Sequence, residues 1–237
     1  YSSIQNEYRQ TNNNYDFLAD FGFVKGYKPN KGIKDKKNFG HLFAKLNYDL
    51  NFDGFNTSKL SLKIEKVNND SYLSLFNSHV TKSKVKPADI NILNNKLELV
   101  LNNNDYSFNT GIQSYETIGT RKSDRHQFVL PYYNYDKIVS WDIFDGLVSF
   151  KSSGNNTLNN TNILESNITN DINYSSNDFI SNLGIKRNLN VYFKNFNSVG
   201  QNSSKYKSSP QVEVVSLYNL KLSYPLFKAE ENRNSYL

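Results

Sequence analysis

The 237 residues contain no cysteine and no methionine, a single tryptophan (Trp141), five prolines and eleven glycines. Without cysteine there are no disulfides and no thiolate metal sites. A chain lacking methionine has no start codon of its own, so a piece of a longer protein is expected, and a missing leader carries no information. No apolar run approaches the 18 or more residues of a membrane helix. The mean hydropathy of −0.67 resembles that of a soluble protein, but barrel strands escape that measure because half of their residues are polar. What the chain has instead is 17 tyrosines, 16 phenylalanines and much asparagine and lysine. Asparagine tracts at 12–14 and 102–104 and Ser/Asn tracts near 152–160 and 202–209 look like low complexity. Disordered chains, however, are poor in aromatics.

Hydrophobicity alternates with period two. In His41–Phe52 the even positions read Leu42, Ala44, Leu46, Tyr48, Leu50 and Phe52. The odd positions read His41, Phe43, Lys45, Asn47, Asp49 and Asn51. Successive strand side chains point to opposite faces, so the stretch builds one apolar and one polar face, which a 3.6-residue helical period cannot do. Eleven such strands are expected: Ser2–Arg9, Tyr15–Lys25, His41–Phe52, Thr57–Val67, Lys96–Asn102, Tyr106–Thr117, His126–Ile138, Gly146–Ser152, Thr161–Ser175, Phe179–Asn195 and Gln211–Tyr224.

The connections alternate in length. Asn12–Asn14, Asp53–Asn56, Asn103–Asp105, Val139–Asp145 and Ser176–Asp178 are short. Gly26–Gly40, Asn68–Asn95, Ile118–Arg125, Ser153–Asn160 and Phe196–Pro210 are longer. The short ones carry the Asn, Asp and Gly that hairpin turns require. Greek-key sandwiches show no such parity, and a solenoid would show a fixed repeat. Outer-membrane barrels have terse periplasmic turns and long outer loops, so the parity predicts an all-β, antiparallel, up-and-down transmembrane β-barrel segment over 1–237. Pro29, Pro87 and Pro210 sit in or beside loops and Pro225 ends the last strand; Pro131, inside the seventh strand, predicts a bulge.

Several stretches resemble the family of the LPS-assembly outer-membrane protein LptD, in the Asn/Lys-rich style of its alphaproteobacterial members. They are Asn69-Asp70-Ser71-Tyr72-Leu73, Val129 through Lys137 (VLPYYNYDK), Asn162 through Ser175 (NILESNITNDINYS), Lys205 through Pro210 and Leu222 through Leu226. The resemblance covers residues 60–237. It implies a barrel in the cell outer membrane that receives lipopolysaccharide from periplasmic bridge proteins and inserts it into the outer leaflet. It further implies an LptE-like plug lipoprotein as partner, a periplasmic jelly-roll domain, and an even strand count larger than eleven. This piece is then an arc of the wall, an open curved sheet or partial barrel when taken alone. The cysteines that join the two domains in some members are missing from it.

Nothing points to catalysis, to a cofactor or to a metal. His41, His79 and His126 lack metal-ligand spacing, and there is no nucleophile elbow and no phosphate-cradling glycine loop. Asp142, Asp145, Glu230 and Glu231 lie at turns or termini. The net charge of +6 and pI near 9.2 come with lysine and arginine clusters in the long loops. Of these, Lys34, Lys36, Lys37, Lys84, Arg121, Lys122 and Arg125 are the candidates for facing anionic lipopolysaccharide. The plainer reading is a solvated loop. The cations are interrupted by turns and no recognition helix accompanies them, which argues against nucleic acid. Asn47, Asp49, Lys63, Glu65, Asn109 and Gln113 would line a hydrophilic interior. The alternatives are a soluble or surface-exposed β-sandwich binding carbohydrate or partners, and another outer-membrane barrel, porin or enzyme.

Overall fold

A computed structural model describes residues 2–28, 37–80, 82–141, 145–224, 227–230 and 233–236. Pro29, Lys34, Lys36, Asp142 and Pro225 lie outside the described residues. Twelve antiparallel strands form one sheet in which sequence neighbours are hydrogen-bonded, except that β9 pairs with β11 rather than β10. The strands are β1 (Ser2–Thr11), β2 (Tyr15–Tyr27), β3 (Lys37–Asp49), β4 (Thr57–Val67), β5 (Ile92–Asn102), β6 (Tyr106–Thr117), β7 (His126–Trp141), β8 (Gly146–Asn159), β9 (Ile163–Ser176), β10 (Phe179–Ile180), β11 (Lys186–Gln201) and β12 (Gln211–Ser223). The sheet is open: β1 and β12 are its edges. A separate hairpin pairs β13 (Phe227–Glu230) with β14 (Arg233–Tyr236).

The strand expected over Phe179–Asn195 is two strands. Gly184, at φ +78°, turns the chain between β10 and β11, and Gly184 N–H donates to the Ser181 carbonyl. The reversal is therefore at 181–185, not at Ser176–Asp178. β10 pairs with Lys186 and Arg187, which also pair with β12, so β10 occupies the side of β11 that β9 occupies further along. Twelve strands thus fill eleven lanes.

The longer connection expected at Ser153–Asn160 is strand. β8 runs on to Asn159 because β7 and β9 pair with it on both sides, and such pairing outweighs the weak strand preference of Asn and Ser. Asn160 and Thr161 then turn the chain with positive φ (50° and 61°), the conformation a two-residue hairpin turn needs. The connections before β8 keep the parity, whereas β9 and β11 are joined through 177–185, as long as the β11–β12 connection at 202–210. β3 is displaced toward its N-terminus and ends at Asp49, and β5 begins four residues earlier than expected, at Ile92. Opposite β8, the ladder shifts between Val129 and Tyr132, where Leu130 and Pro131 drop out of register, which is the bulge expected at Pro131.

The β4–β5 connection (68–91) folds back over one face of the sheet. Its two short helices, α1 (Tyr72–Leu75) and α2 (Asn77–Val80), place Tyr72, Leu73, Phe76 and Val80 against Val24, Phe39, Phe43, Val67 and Leu93. This is the hydrophobic core. The face beneath the loop is called inner here, and the opposite face outer.

Candidate functional site

The inner face follows from strand register. Asp20 pairs with Phe43 and Phe43 with Glu65, so these three point the same way, as do Gly22, His41 and Val67. Further along, Ser61 and Lys63 pair with Glu98 and Lys96, which pair in turn with Gly111 and Gln113. Of the polar residues expected to line the interior, Lys63, Glu65, Asn109 and Gln113 therefore share one face. Asn47 joins them, accepting from Ser61 Oγ at 3.4 Å.

Beneath α1 lies a buried relay. Asp20 is 0% exposed and His41 6%. His41 Nε2 is 3.1 Å from Asp20 Oδ1, and His41 Nδ1 is 2.7 Å from Tyr72 Oη. A carboxylate only accepts, so Nε2–H donates to Asp20 and Nδ1 accepts from the tyrosine hydroxyl. Gln5 Nε2 donates to the second Asp20 oxygen at 3.0 Å. Room for the imidazole comes from Gly22: a Cβ there would lie 2.5 Å from His41 Cε1 and 3.1 Å from Tyr72 Oη. Burial, reinforced by the Asp20 charge, pushes the Tyr72 hydroxyl up to about 12. The tyrosine therefore stays protonated and able to donate. Around the relay Phe39, Tyr72 and Phe76 pack ring on ring at 5.3–6.4 Å, and His41 stacks on Phe43 at 4.3 Å.

A second tie holds the root of the loop. Arg125, in the β6–β7 connection, binds Asp70 through both terminal nitrogens and Glu116 through Nε at 2.7 Å. Lys66 Nζ reaches Glu116 at 2.9 Å. The Arg125 guanidinium holds the Asp70 carboxyl below its ordinary range, and the Asp70 hydrogen bond holds Arg125 above its own. Arg125 is thus committed to internal ion pairs. Lys37, Lys84, Arg121 and Lys122 are exposed on or beside the long connections; Lys34 and Lys36 lie outside the described residues.

Across β4 to β11 the inner face alternates charge. Lys63–Glu65 (2.6 Å), Lys96–Glu98 (2.8 Å), Lys151–Asp136 (2.9 Å) and Lys194–Asp171 (3.7 Å) are paired. Glu98 also accepts from Asn109 and Tyr132. A polar hollow there is lined by Lys96, Glu98, Asn109, Gln113, Tyr132, Asn134 and Asn155. This surface can hydrogen-bond hydroxyls and amides over a broad area, with no strong net charge.

The outer face is its opposite. Phe21, Phe23, Leu42, Leu97, Ile112, Ile168 and Ile172 are 38–47% exposed. Toward the short-turn end Tyr15 stacks on Tyr48 (6.3 Å), and Tyr135 meets Tyr106 and Phe150 at 5.2 and 5.8 Å. No helix among the described residues is long and apolar enough to cross a membrane, which leaves β-strand crossing untouched.

Sequence reading missed Tyr72, Asp20 and Gly22 as a unit. The usable signal was the spacing of Tyr72, Leu73, Phe76 and Val80, an apolar stripe of helical period inside a loop. The class defined by this architecture is an all-β, up-and-down antiparallel sheet with one apolar and one polar face. No family model matches the chain, and a search of curated proteins gives no match.

Proposed function

We propose that this chain is an arc of the wall of an outer-membrane β-barrel for lipopolysaccharide transport and assembly. In this reading the outer face meets lipid, the inner face lines a hydrophilic lumen, and the short turns are periplasmic. The observation that carries the membrane part is the inverted burial. Asp20 (0%) and Glu65 (1%) are buried while large apolar side chains stand exposed in rows on the other face. In water such rows mark an interaction or membrane surface, and the tyrosine belt at the short-turn end fits an interfacial girdle. Lipopolysaccharide as cargo rests on the resemblance of residues 60–237 to the LptD family. An LptE-like plug lipoprotein and periplasmic bridge proteins are the partners that the same resemblance suggests. The role needs no catalytic residue.

The test is membrane partition with two variants. The protein should float with lipid vesicles and need detergent to stay monodisperse. Leu62→Arg, on the outer face, should lose about 2–4 kcal/mol of stability in bilayers, while Asn47→Arg, on the inner face, should be tolerated. A monodisperse product without detergent, or equal tolerance at both positions, refutes the membrane reading and favours a soluble β-protein.

A further inference from the structure

We infer that the inner face carries a binding site for a neutral saccharide at its long-loop end, a site that stands whether or not the sheet crosses a membrane. Tyr115 pairs with Gln127, Gln127 with Asn159 and Asn159 with Ile163. An aromatic, two amides and an aliphatic side chain therefore stand in one row across β6, β7, β8 and β9. Tyr115 follows Gln113 by two positions in β6 and so shares its inner face. The row lines a hollow of about 610 Å³, within the range of small-ligand sites. Its walls are Ile92 and Thr117, paired where β5 starts and β6 ends, the 124–126 stretch of the β6–β7 connection, and Asn160 of the β8–β9 turn.

The polar groups of this hollow are uncommitted. Gln127, Asn159 and Asn160 make no side-chain hydrogen bond with another described residue, and Asp124 makes no ion pair with one. Further along the same face Asn109, Gln113 and Asn167 donate to Glu98, Asn94 and Asn155. Arg125 is the only lysine or arginine among the described residues of the lining, and its guanidinium is held by Asp70 and Glu116. An anion entering the hollow would meet the Asp124 carboxylate with no free guanidinium or ammonium beside it, and like charges brought together are costly. A sugar hydroxyl both donates and accepts. It can give its proton to Asp124, and neighbouring hydroxyls can use the donor and acceptor ends of the amides. The C–H face of a sugar ring needs apolar surface, which the Tyr115 ring, Ile92 and Ile163 supply. A mixed lining of this kind, apolar surface with a few polar groups that fix orientation, is how small-ligand sites are built.

The intact protein in micelles of an amine-oxide detergent, whose head group carries no sugar, should transfer NMR saturation to at least one of glucose, galactose and N-acetylglucosamine. Gln127→Leu and Asn159→Leu should each weaken that binding at least tenfold, and neither side chain holds the fold through a hydrogen bond. Asn160→Gly is the variant that spares the turn, because residue 160 has φ +50° and glycine adopts that conformation freely; it should weaken binding as well. Asn134→Leu, on the inner face outside this hollow, should leave binding unchanged. Failure of all three sugars to bind, equal loss in Asn134→Leu, or displacement of the sugar by inorganic phosphate overturns the inference. Sugar bound by protein that stays monodisperse without detergent overturns the membrane reading and leaves this site standing.

Discussion

The sheet from β2 to β5 and the sheet from β7 to β12 are built from the same kind of strand and differ in what lies on them. Every member of the hydrophobic core lies between Val24 and Leu93. Beyond Leu93 lie the longest strands, with 16 residues in β7 and in β11, yet they contribute nothing to that cluster. The strand ladder is therefore not what creates a core in this molecule. A second layer is, and the β4–β5 connection supplies it for one half only. Where no layer covers the sheet, the inner face is a lattice of ion pairs and asparagines, and the outer face is apolar on either side of a Ser152, Asn170 and Asn195 row.

The largest way to break this contrast is at Leu73, which is 1% exposed beneath α1. Leu73→Ala should cost about 2–5 kcal/mol in denaturant unfolding in micelles, the range for a truncated core leucine. Amide exchange should rise through 68–91 while β8 and β9 keep their protection. Uniform loosening of both halves would mean that the two are one cooperative unit.

A smaller effect is expected from Tyr72→Phe, which leaves the buried His41 Nδ1 without its donor and should cost about 1–3 kcal/mol. The wild-type relay also has a pH signature. Folding raises the Tyr72 hydroxyl from 10.0 to about 12. A raised value means that the folded state holds its proton more tightly than the unfolded chain does. Its contribution is full below pH 10 and fades as pH climbs from 10 toward 12. Tyr72→Phe should flatten the stability profile in that window, and an unchanged profile would contradict the relay.

The smallest effect belongs to Asp70. Its carboxyl is held below 3.8 by Arg125, so its contribution is present above that value and fades as pH falls through the lowered one. Asp70 is largely solvated, and Asp70→Asn should therefore cost under about 1 kcal/mol at neutral pH and less in high salt. A salt-independent loss of several kcal/mol would make this tie a main fastener of the loop.

Most of the sheet was legible because period-two alternation records which face each residue takes. Thr57–Val67 and Tyr106–Thr117 coincide with β4 and β6 to the residue. The misplaced parts are those where tertiary pairing decides. Asn155 and Thr157 have loop-like chemistry and become strand because both neighbouring strands bind them, and Asn156 between them pairs with Ser166 of β9. Gly184 turns the chain between β10 and β11 through a positive φ that composition alone did not mark. Loop cations were visible in sequence, but the commitment of Arg125 to Asp70, 55 residues away, was not. Nor was the meeting of Asp20, His41 and Tyr72, which requires three separate segments to converge.

The split between β10 and β11 also gives the molecule an uneven rim. β7 turns into β8 at Trp141 and Gly146, and Gly146 is level with Ser176 at the end of β9. The chain then runs on past that level through β10, about 10–13 Å at strand rise, before Gly184 turns it back. Phe179, Ile180 and Leu183 are 48%, 65% and 75% exposed on this overhang, with the Arg187 guanidinium 4.1 Å from the Phe179 ring. The short-turn side therefore has a single-sided landmark: a protruding, apolar-tipped ledge by which that end of the sheet can be told from the other.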